Sequence, residues 1–269
     1  MGINYSPPCD GRAQSIAELQ QDLLLLSQVT DIVRTFSVSY GLNQIPHLAE
    51  QFGLNVVPGA WLSGNATAND EEIERTISLA NTHGNVSFLS VGSGTLLRAD
   101  LTGQPLMEYI DRVRRGVRVP VTRAEPWHVW RDHPELAAAV DLIFVNISPY
   151  MDGEPITNAV AFVIQRYSEI REQYPDKPII ISDTGWPSDG PTTGAAVPGL
   201  DSQRRFIGDL SAAARARDIS FFLDEAMDAQ CTLQPGDPAA GSGMFFRAIP
   251  RGLLPLPNRV ASTICHFRR

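Results

Sequence analysis

The most constraining feature of the sequence is a regular alternation of short apolar runs with amphipathic stretches. Eight apolar runs are candidate strands, and each is followed by a stretch with the apolar spacing of a helix. The runs cover residues 2–6, 31–37, 55–62, 86–93, 119–127, 141–150, 177–186 and 219–228. Apolar strands separated by helices indicate a parallel sheet that is buried on both faces. Eight such units predict an α/β fold, a closed (β/α)8 or TIM barrel.

The same alternation also occurs in an open, doubly wound sheet, which is the alternative architecture. That fold commonly binds a nucleotide through a Gly-rich loop after its first strand. Here the first strand leads into NYSPPCDGR, which lacks the required glycine spacing. With 269 residues and 43% apolar composition, the chain can bury one full core. We therefore predict a single barrel domain over residues 1–269.

The charge of the chain limits its partners. The formal net charge is −8, from 22 basic and 30 acidic side chains, and no dense basic cluster offsets it. This balance disfavours nucleic acid and anionic membranes as partners. No apolar run reaches the roughly 18 residues of a membrane span. A neutral polar substrate fits the acidic net charge better. We also expect the protein to be a monomer.

Histidine and cysteine positions are the candidates for metal and redox chemistry. His128 and His133 lie five residues apart in a predicted loop, which is too weak a pattern to indicate a metal, so we expect no metal and no other cofactor. Cys9 follows the first strand and Cys231 the eighth, and these strands are neighbours in a closed barrel. A disulfide between them is possible and would place the protein outside the cytosol. A periplasmic or extracellular location is favoured, although the opening residues MGINYS have no signal-type apolar region.

Polar and aromatic residues gather at the predicted carboxyl ends of the strands, where a barrel of this kind places its active site. They are Arg34, Phe36, Trp61, Glu125, Trp127, Asn146, Tyr150, Asp183, Trp186, Asp224, Glu225 and Asp228. Carboxylates among aromatic rings suit glycoside chemistry, because sugars stack on aromatic faces and cleavage uses two carboxyl groups. The alternative is that the tryptophans anchor the core and the glutamates pair with Arg34, Arg98 or Arg123.

Seven motifs, in order, resemble glycoside hydrolase family 17, the family of β-1,3-glucanases and glucan transferases. They are GINYSP, VRTFS, GAWL, AEPWHVW, SPYMDG, ISDTGWPS and DEAMD, and they extend over nearly the whole chain. The resemblance implies a (β/α)8 barrel, similar to those of glycoside hydrolase clan A, that acts on β-glucans with retention of configuration. The expected partner is then an oligosaccharide or polysaccharide glucan.

The chain departs from this family at both catalytic positions. The family ends strand four in Val-Gly-Asn-Glu, with Glu as acid/base, whereas this chain has Val91-Gly92-Ser93-Gly94. Asp183 stands where the family has its nucleophilic Glu. Other cleft positions also differ from the usual residues, namely Phe36, Asn146, Met151 and Met227. Gly94 is expected to leave space in the cleft for a sugar or a water molecule, and any proton donor must come from another strand.

Three functional hypotheses follow. The first is a glycoside hydrolase acting on a β-glucan, or on a cyclic or branched bacterial glucan, with inversion, because the shortened Asp183 leaves room for a water molecule. Asp183 would activate that water, and Glu225 or Glu125 would donate the proton. The sugar would be bound by Arg34, Phe36, Trp61, Trp127, Asn146, Tyr150, Trp186 and Asp228. The second hypothesis is an inactive glycan-binding barrel, and the third is a glucanosyltransferase or scaffold domain of a larger protein.

Arg123 bears on the choice of proton donor. It lies two residues before Glu125, so both side chains share one face of the predicted strand. A guanidinium there would hold Glu125 in its charged form and favour Glu225 as the acid. A surface-pointing Arg123 is the alternative.

Overall fold

Nine parallel strands form the barrel. The computed structural model describes residues 1–6 and 13–224. Its strands are β1 (Gly2–Asn4), β2 (Ile32–Arg34), β3 (Asn55–Val57), β4 (Gly59–Ala60), β5 (Leu89–Ser93), β6 (Val121–Pro126), β7 (Ile143–Asn146), β8 (Ile179–Thr184) and β9 (Phe221–Leu223). All pairings between neighbouring strands are parallel. The predicted TIM barrel is confirmed.

The ring closes through the third predicted strand, which is broken at Pro58. Its first half, β3, pairs with β2, and its second half, β4, pairs with β5. Proline has no N–H for the ladder, but the Pro58 carbonyl accepts a hydrogen bond from the Ser90 N–H at 3.1 Å. β1 also pairs with β9, so the first and last strands are neighbours. This is the pairing of a barrel and not of the alternative open sheet.

Helices cover the outside of the strands. They are α1 (Ile16–Leu26), a 3-10 turn (Leu42–Gln44), α2 (Ile45–Glu50), α3 (Ala66–Thr82), α4 (Gly103–Gly116), α5 (Trp127–Asp132), α6 (Glu135–Ala139), α7 (Ala159–Gln173) and α8 (Leu200–Arg215). The expected strand end at Trp127 was wrong, since this residue begins α5. Pro126 explains the difference, because it offers no N–H to continue the ladder. None of the described helices is long and apolar enough to cross a membrane.

The strands place one face toward the barrel axis and the other toward the helices. The interior is filled by Ile32, Val57, Phe88, Ala124, Leu142, Phe144, Ile180 and Phe222. On β2 the neighbouring Val33 packs outward, with residues of α1 and α2. Because side chains alternate along a strand, Arg34 lies on the inner face beyond Ile32. The apolar interior therefore ends in polar side chains at the carboxyl ends of the strands.

Gly59 allows the third strand to approach the segment after β2. A Cβ built on Gly59 would lie 2.5 Å from the Thr35 carbonyl oxygen and 2.8 Å from that of Phe36. Both obstacles are backbone atoms, so Gly59→Ala is expected to destabilise the fold by about 1–3 kcal/mol. Urea unfolding measures this change.

The matched control for this substitution is Gly208→Ala in the interior of α8. A Cβ there meets nothing within 4 Å, and alanine favours a helix over glycine by about 1 kcal/mol. We expect Gly208→Ala to be neutral or stabilising. Equal stability of the two variants would contradict a close approach at Gly59.

Candidate active site

A layer of polar side chains, all buried except the partly buried Asn146, lies at the carboxyl ends of β1, β2, β7, β8 and β9. We call it the inner polar layer, and it consists of Asn4, Arg34, Asn146, Ser182, Asp183 and Asp224. Hydrogen bonds connect all six residues. It occupies the end of the barrel where enzymes of this fold carry their chemistry.

The charged centre of this layer is the ion pair of Arg34 with Asp183. The Arg34 guanidinium donates to Asp183 Oδ1 at 3.0 Å, and both side chains are 1% exposed. Asn4 Nδ2 also donates to that oxygen, at 3.1 Å. Among the described residues no donor reaches Asp183 Oδ2. One carboxylate oxygen is therefore fixed, and the other is an acceptor without a donor in the described part of the chain.

An irregularity in β8 explains how Asp183 reaches the interior. Val145 of β7 pairs with Ile181, but the next residue, Asn146, pairs with Asp183. β8 therefore has one extra residue at Ser182. Such a bulge redirects the side chains that follow it. As a result, the consecutive residues Ser182 and Asp183 both contribute side chains to the inner polar layer. The Ser182 hydroxyl donates to Asn146 at 2.5 Å.

Asp224 supplies a second carboxylate to the inner polar layer. Asn4 Nδ2 donates to Asp224 Oδ1 at 3.2 Å, so one amide bridges the carboxylates of Asp224 and Asp183. The sequence placed Asp224 at a strand end but did not select it or Asn4 as a candidate. The available signal was alternation, because Phe222 faces inward and Asp224 lies two residues further on. Glu225 and Asp228 lie outside the described residues.

At the end of β5 a guanidinium lies beside Gly94, the sequence position at which the resembling family has its acid/base Glu. Gly94 has φ of +60°, in the region that favours glycine. A Cβ on Gly94 would lie 3.3 Å from Arg98 Nη1. Arg98 also donates to the carbonyls of Ser93 and Leu62 and pairs with Asp100 at 2.7 Å. The expectation of open space beside Gly94 was wrong, because Arg98 folds back over this position.

Glu125 lies on the opposite face of β6 from the inner polar layer. Its neighbour Ala124 faces the barrel interior, and Glu125 pairs in register with Val145, which packs outward. Both Arg123 and Glu125 are fully buried and form an ion pair. Glu125 Oε1 also accepts from the Leu96 N–H at 3.1 Å. The predicted ion pair with Arg123 is confirmed, whereas a surface-pointing Arg123 is wrong.

This placement weakens the prediction of Glu125 as a proton donor. Strand alternation turns its side chain away from Asp183, and Arg123 holds one of its oxygens. Burial lowers the pKa of the Arg123 guanidinium, and the charge of Glu125 opposes that shift. The position of the Arg123–Glu125 pair therefore indicates a role in stabilising the fold and not in catalysis.

Four of the five aromatic residues predicted to bind sugar have protein side chains packed against their rings. Arg98 lies 4.2 Å from the ring centroid of Trp61, and Arg166 lies 4.5 Å from that of Trp127. Trp186 is 1% exposed and packs edge-on against Tyr150, with ring centroids 5.6 Å apart. Trp186 thus serves as a core anchor, as the alternative interpretation proposed.

Three further sugar-binding predictions fall in or next to the inner polar layer. Phe36 is buried, with its ring centroid 4.6 Å from the Arg34 guanidinium. Asn146 is only partly buried and belongs to the layer itself. Arg34 is occupied by Asp183 and by the Ser182 carbonyl, at 3.0 Å from each. The structure therefore brings Arg34, Phe36, Asn146 and Asp183 together.

The sequence of the chain is similar to those of several fungal proteins. The chain is 27% identical over 231 residues to the "Probable beta-glucosidase btgE" of Aspergillus terreus, covering 82% of this chain and 41% of that protein. It is 26% identical over 257 residues to the "Probable glucan endo-1,3-beta-glucosidase btgC" of Aspergillus clavatus, covering 84% of this chain and 36% of that protein. The chain thus spans about two fifths of the length of these curated relatives.

A solved structure gives the same fold. The glycoside hydrolase family 17 β-1,3-glucanosyltransferase from Rhizomucor miehei superposes with a TM-score of 0.79 at 24% identity. The match covers 93% of this chain and 95% of that one. The family described as the BtgE/BtgC glycoside hydrolase domain matches residues 2–241. The chain therefore belongs to the BtgE/BtgC glycoside hydrolase domain family.

Proposed function

We propose that this chain hydrolyses a β-linked glucan and that Asp183 is the carboxylate that acts at the bond to be cleaved. The observation that carries the proposal is the arrangement of Asp183 at the end of β8. Arg34 and Asn4 fix its Oδ1, and no described donor reaches its Oδ2. A buried acceptor aligned in this way suits the abstraction of a proton from water. The names of the fungal relatives support a β-glucan as substrate.

In the proposed reaction Asp183 acts as a general base. Its Oδ2 takes a proton from a water molecule while the water oxygen bonds to the anomeric carbon. The glycosidic C–O bond breaks, and its electron pair remains on the leaving oxygen, which receives a proton from the acid. A single displacement of this kind inverts the anomeric configuration. The shorter reach of Asp, compared with Glu, favours water over direct attack by the carboxylate.

The proposed acid follows β9 in the sequence. Glu225 is our first candidate, and it directly follows Asp224, which Asn4 connects to Asp183. Glu125 is not retained, because it faces away from Asp183 and pairs with Arg123. We propose Phe36, Asn146 and Asp228 as sugar contacts. Trp61, Trp127 and Tyr150 are further proposed contacts, of which Trp127 is partly exposed, whereas Trp61 and Tyr150 are each 5% exposed.

A glycan-binding barrel without catalysis is the second candidate. It is favoured by Arg98, whose guanidinium lies beside Gly94, where the resembling family has a proton donor. A guanidinium does not donate a proton at ordinary pH. This candidate retains a glucan ligand but predicts no turnover.

The experiment that separates these candidates measures reducing sugar released from linear, branched and cyclic β-glucans. Proton NMR of the first product identifies its anomer, and chromatography detects longer transfer products. Hydrolysis with inversion is expected. Retention or transfer products would contradict the water-activating role of Asp183. Binding of a glucan without any product would identify a non-catalytic barrel.

The proposed location outside the cytosol depends on Cys9 and Cys231, which lie outside the described residues. A disulfide between them would leave one free thiol among the three cysteines of the chain. We expect alkylation and mass spectrometry of unreduced protein to label Cys265 alone. Labelling of all three cysteines in protein made under oxidising conditions would contradict this prediction.

A further inference from the structure

Three side chains of the kinds that can bind a metal lie close together at the end of the barrel opposite to the inner polar layer. His47 and Glu50 belong to α2, which leads into β3, and His83 directly follows α3, which leads toward β5. Helices of a (β/α)8 barrel end where the next strand begins, so these three residues lie near the amino ends of the strands. One donor atom from each side chain lies within 4.8 Å of the other two. None of the three contributes to the proposed hydrolysis.

The geometry of this cluster fits a tetrahedral metal. His83 Nδ1 and Glu50 Oε1 are 3.4 Å apart. Ligands about 2.1 Å from a tetrahedral Zn²⁺ are separated by about 3.4 Å, so this pair already has the required spacing. The rings of His47 and His83 have centroids 6.1 Å apart. His47 is exposed, and rotation of its side chain can shorten its distance to the other two donors.

Hydrogen bonds from the Asn85 side chain hold the two segments together independently of any metal. Asn85, two residues after His83, donates its side-chain amide to the Pro46 carbonyl at 2.8 Å and to the Leu54 carbonyl at 3.1 Å. These acceptors lie on either side of His47 and Glu50 in the sequence. The segment after α3 is thereby fixed against α2. Little backbone ordering is then needed when a metal binds.

We propose that His47, Glu50 and His83 bind one Zn²⁺, with water as the fourth ligand. Two imidazoles and one carboxylate form a donor set that zinc accepts, whereas Ca²⁺ and Mg²⁺ prefer oxygen ligands alone. The site would join α2 to the end of α3. It would stabilise this side of the barrel without taking part in glucan cleavage.

The test is titration of the metal-free full chain with Zn²⁺, followed by calorimetry and by thermal unfolding. Wild type is expected to bind Zn²⁺ at this site and to gain Tm, because a ligand specific for the folded state stabilises it. His83→Asn is expected to weaken zinc binding by at least about tenfold. Mutation of residues that only hydrogen-bond to metal ligands already lowers metal affinity by about that factor. Ca²⁺ in place of Zn²⁺ should leave Tm unchanged.

The matched control is His133→Asn. His133 also pairs with a glutamate, Glu135, at 3.1 Å, and both side chains are exposed. This pair is not part of the three-ligand cluster, so its loss should leave zinc affinity and stoichiometry unchanged. Absence of zinc binding in wild type would overturn the proposal. So would equal affinity of wild type and His83→Asn, which would assign the metal to other side chains.

Discussion

Asp183→Asn is expected to lower kcat by about 10²- to 10⁴-fold on any glucan that the wild-type chain cleaves, the range typical of general acid–base catalysis. The amide has nearly the shape of the carboxylate, and its oxygen can still accept from Asn4. It cannot take a proton from water. The measurement is the rate of reducing-sugar release at saturating substrate, with KM determined in parallel.

This substitution also removes a buried charge, so loss of activity must be separated from loss of stability. Breaking one partner of a buried ion pair costs about 3–5 kcal/mol, because the other charge remains buried. Glu125→Gln is the matched control, since Glu125 is also fully buried and paired with an arginine. Both variants should lose stability in urea unfolding. At urea concentrations too low to unfold either variant, only Asp183→Asn should have a lowered kcat.

Two outcomes would contradict this assignment. Full activity of Asp183→Asn would remove the residue from the reaction. Loss of kcat in Glu125→Gln, with the folded state intact, would return Glu125 to the active site despite its outward position. A separate Asp224→Asn variant shows whether the second carboxylate of the inner polar layer is also required.

The second large effect is expected in the buried pair of Arg123 and Glu125. Arg123→Met alone is expected to destabilise the fold by about 3–5 kcal/mol, because it leaves the Glu125 carboxylate buried without its counter-charge. In the double variant Arg123→Met/Glu125→Gln, the Gln carbonyl can still accept from the Leu96 N–H. Most of the lost stability should then return. Urea unfolding of wild type, both single variants and the double variant gives the coupling free energy.

An exposed ion pair provides the comparison for this cycle. Arg115 and Asp111 lie 3.0 Å apart on α4, and both side chains are more than half exposed. The cycle Arg115→Met and Asp111→Asn should give a coupling of at most about 1 kcal/mol. If the buried cycle gives no larger value, Arg123 and Glu125 do not depend on each other. The structural explanation of Glu125 would then be wrong.

Much of the architecture could be predicted from the sequence. The eight apolar runs recur with helices between them, and burial on both faces requires such runs in a parallel barrel. The break of the third strand at Pro58 and the start of α5 at Trp127 were not predicted. Both depend on the position of a proline relative to the hydrogen bonds between strands. The pattern of apolar residues in the sequence does not specify that position.

The residues of the site were only partly predictable. Asp183 and Arg34 stand out because charged residues interrupt buried strands. Asn4 and Asp224 gain their importance from contacts across about 180 to 220 residues of sequence. No local pattern contains such contacts.

By itself, the sequence determined the repeated βα architecture, the family resemblance and the absence of a carboxylate at Gly94. These follow from residue identity and from spacing along the chain. Only the tertiary structure decided that Glu125 faces outward, that Arg98 occupies the place beside Gly94 and that Asp183 reaches Arg34. The direction of a side chain depends on strand register, and a bulge of one residue at Ser182 is enough to change it.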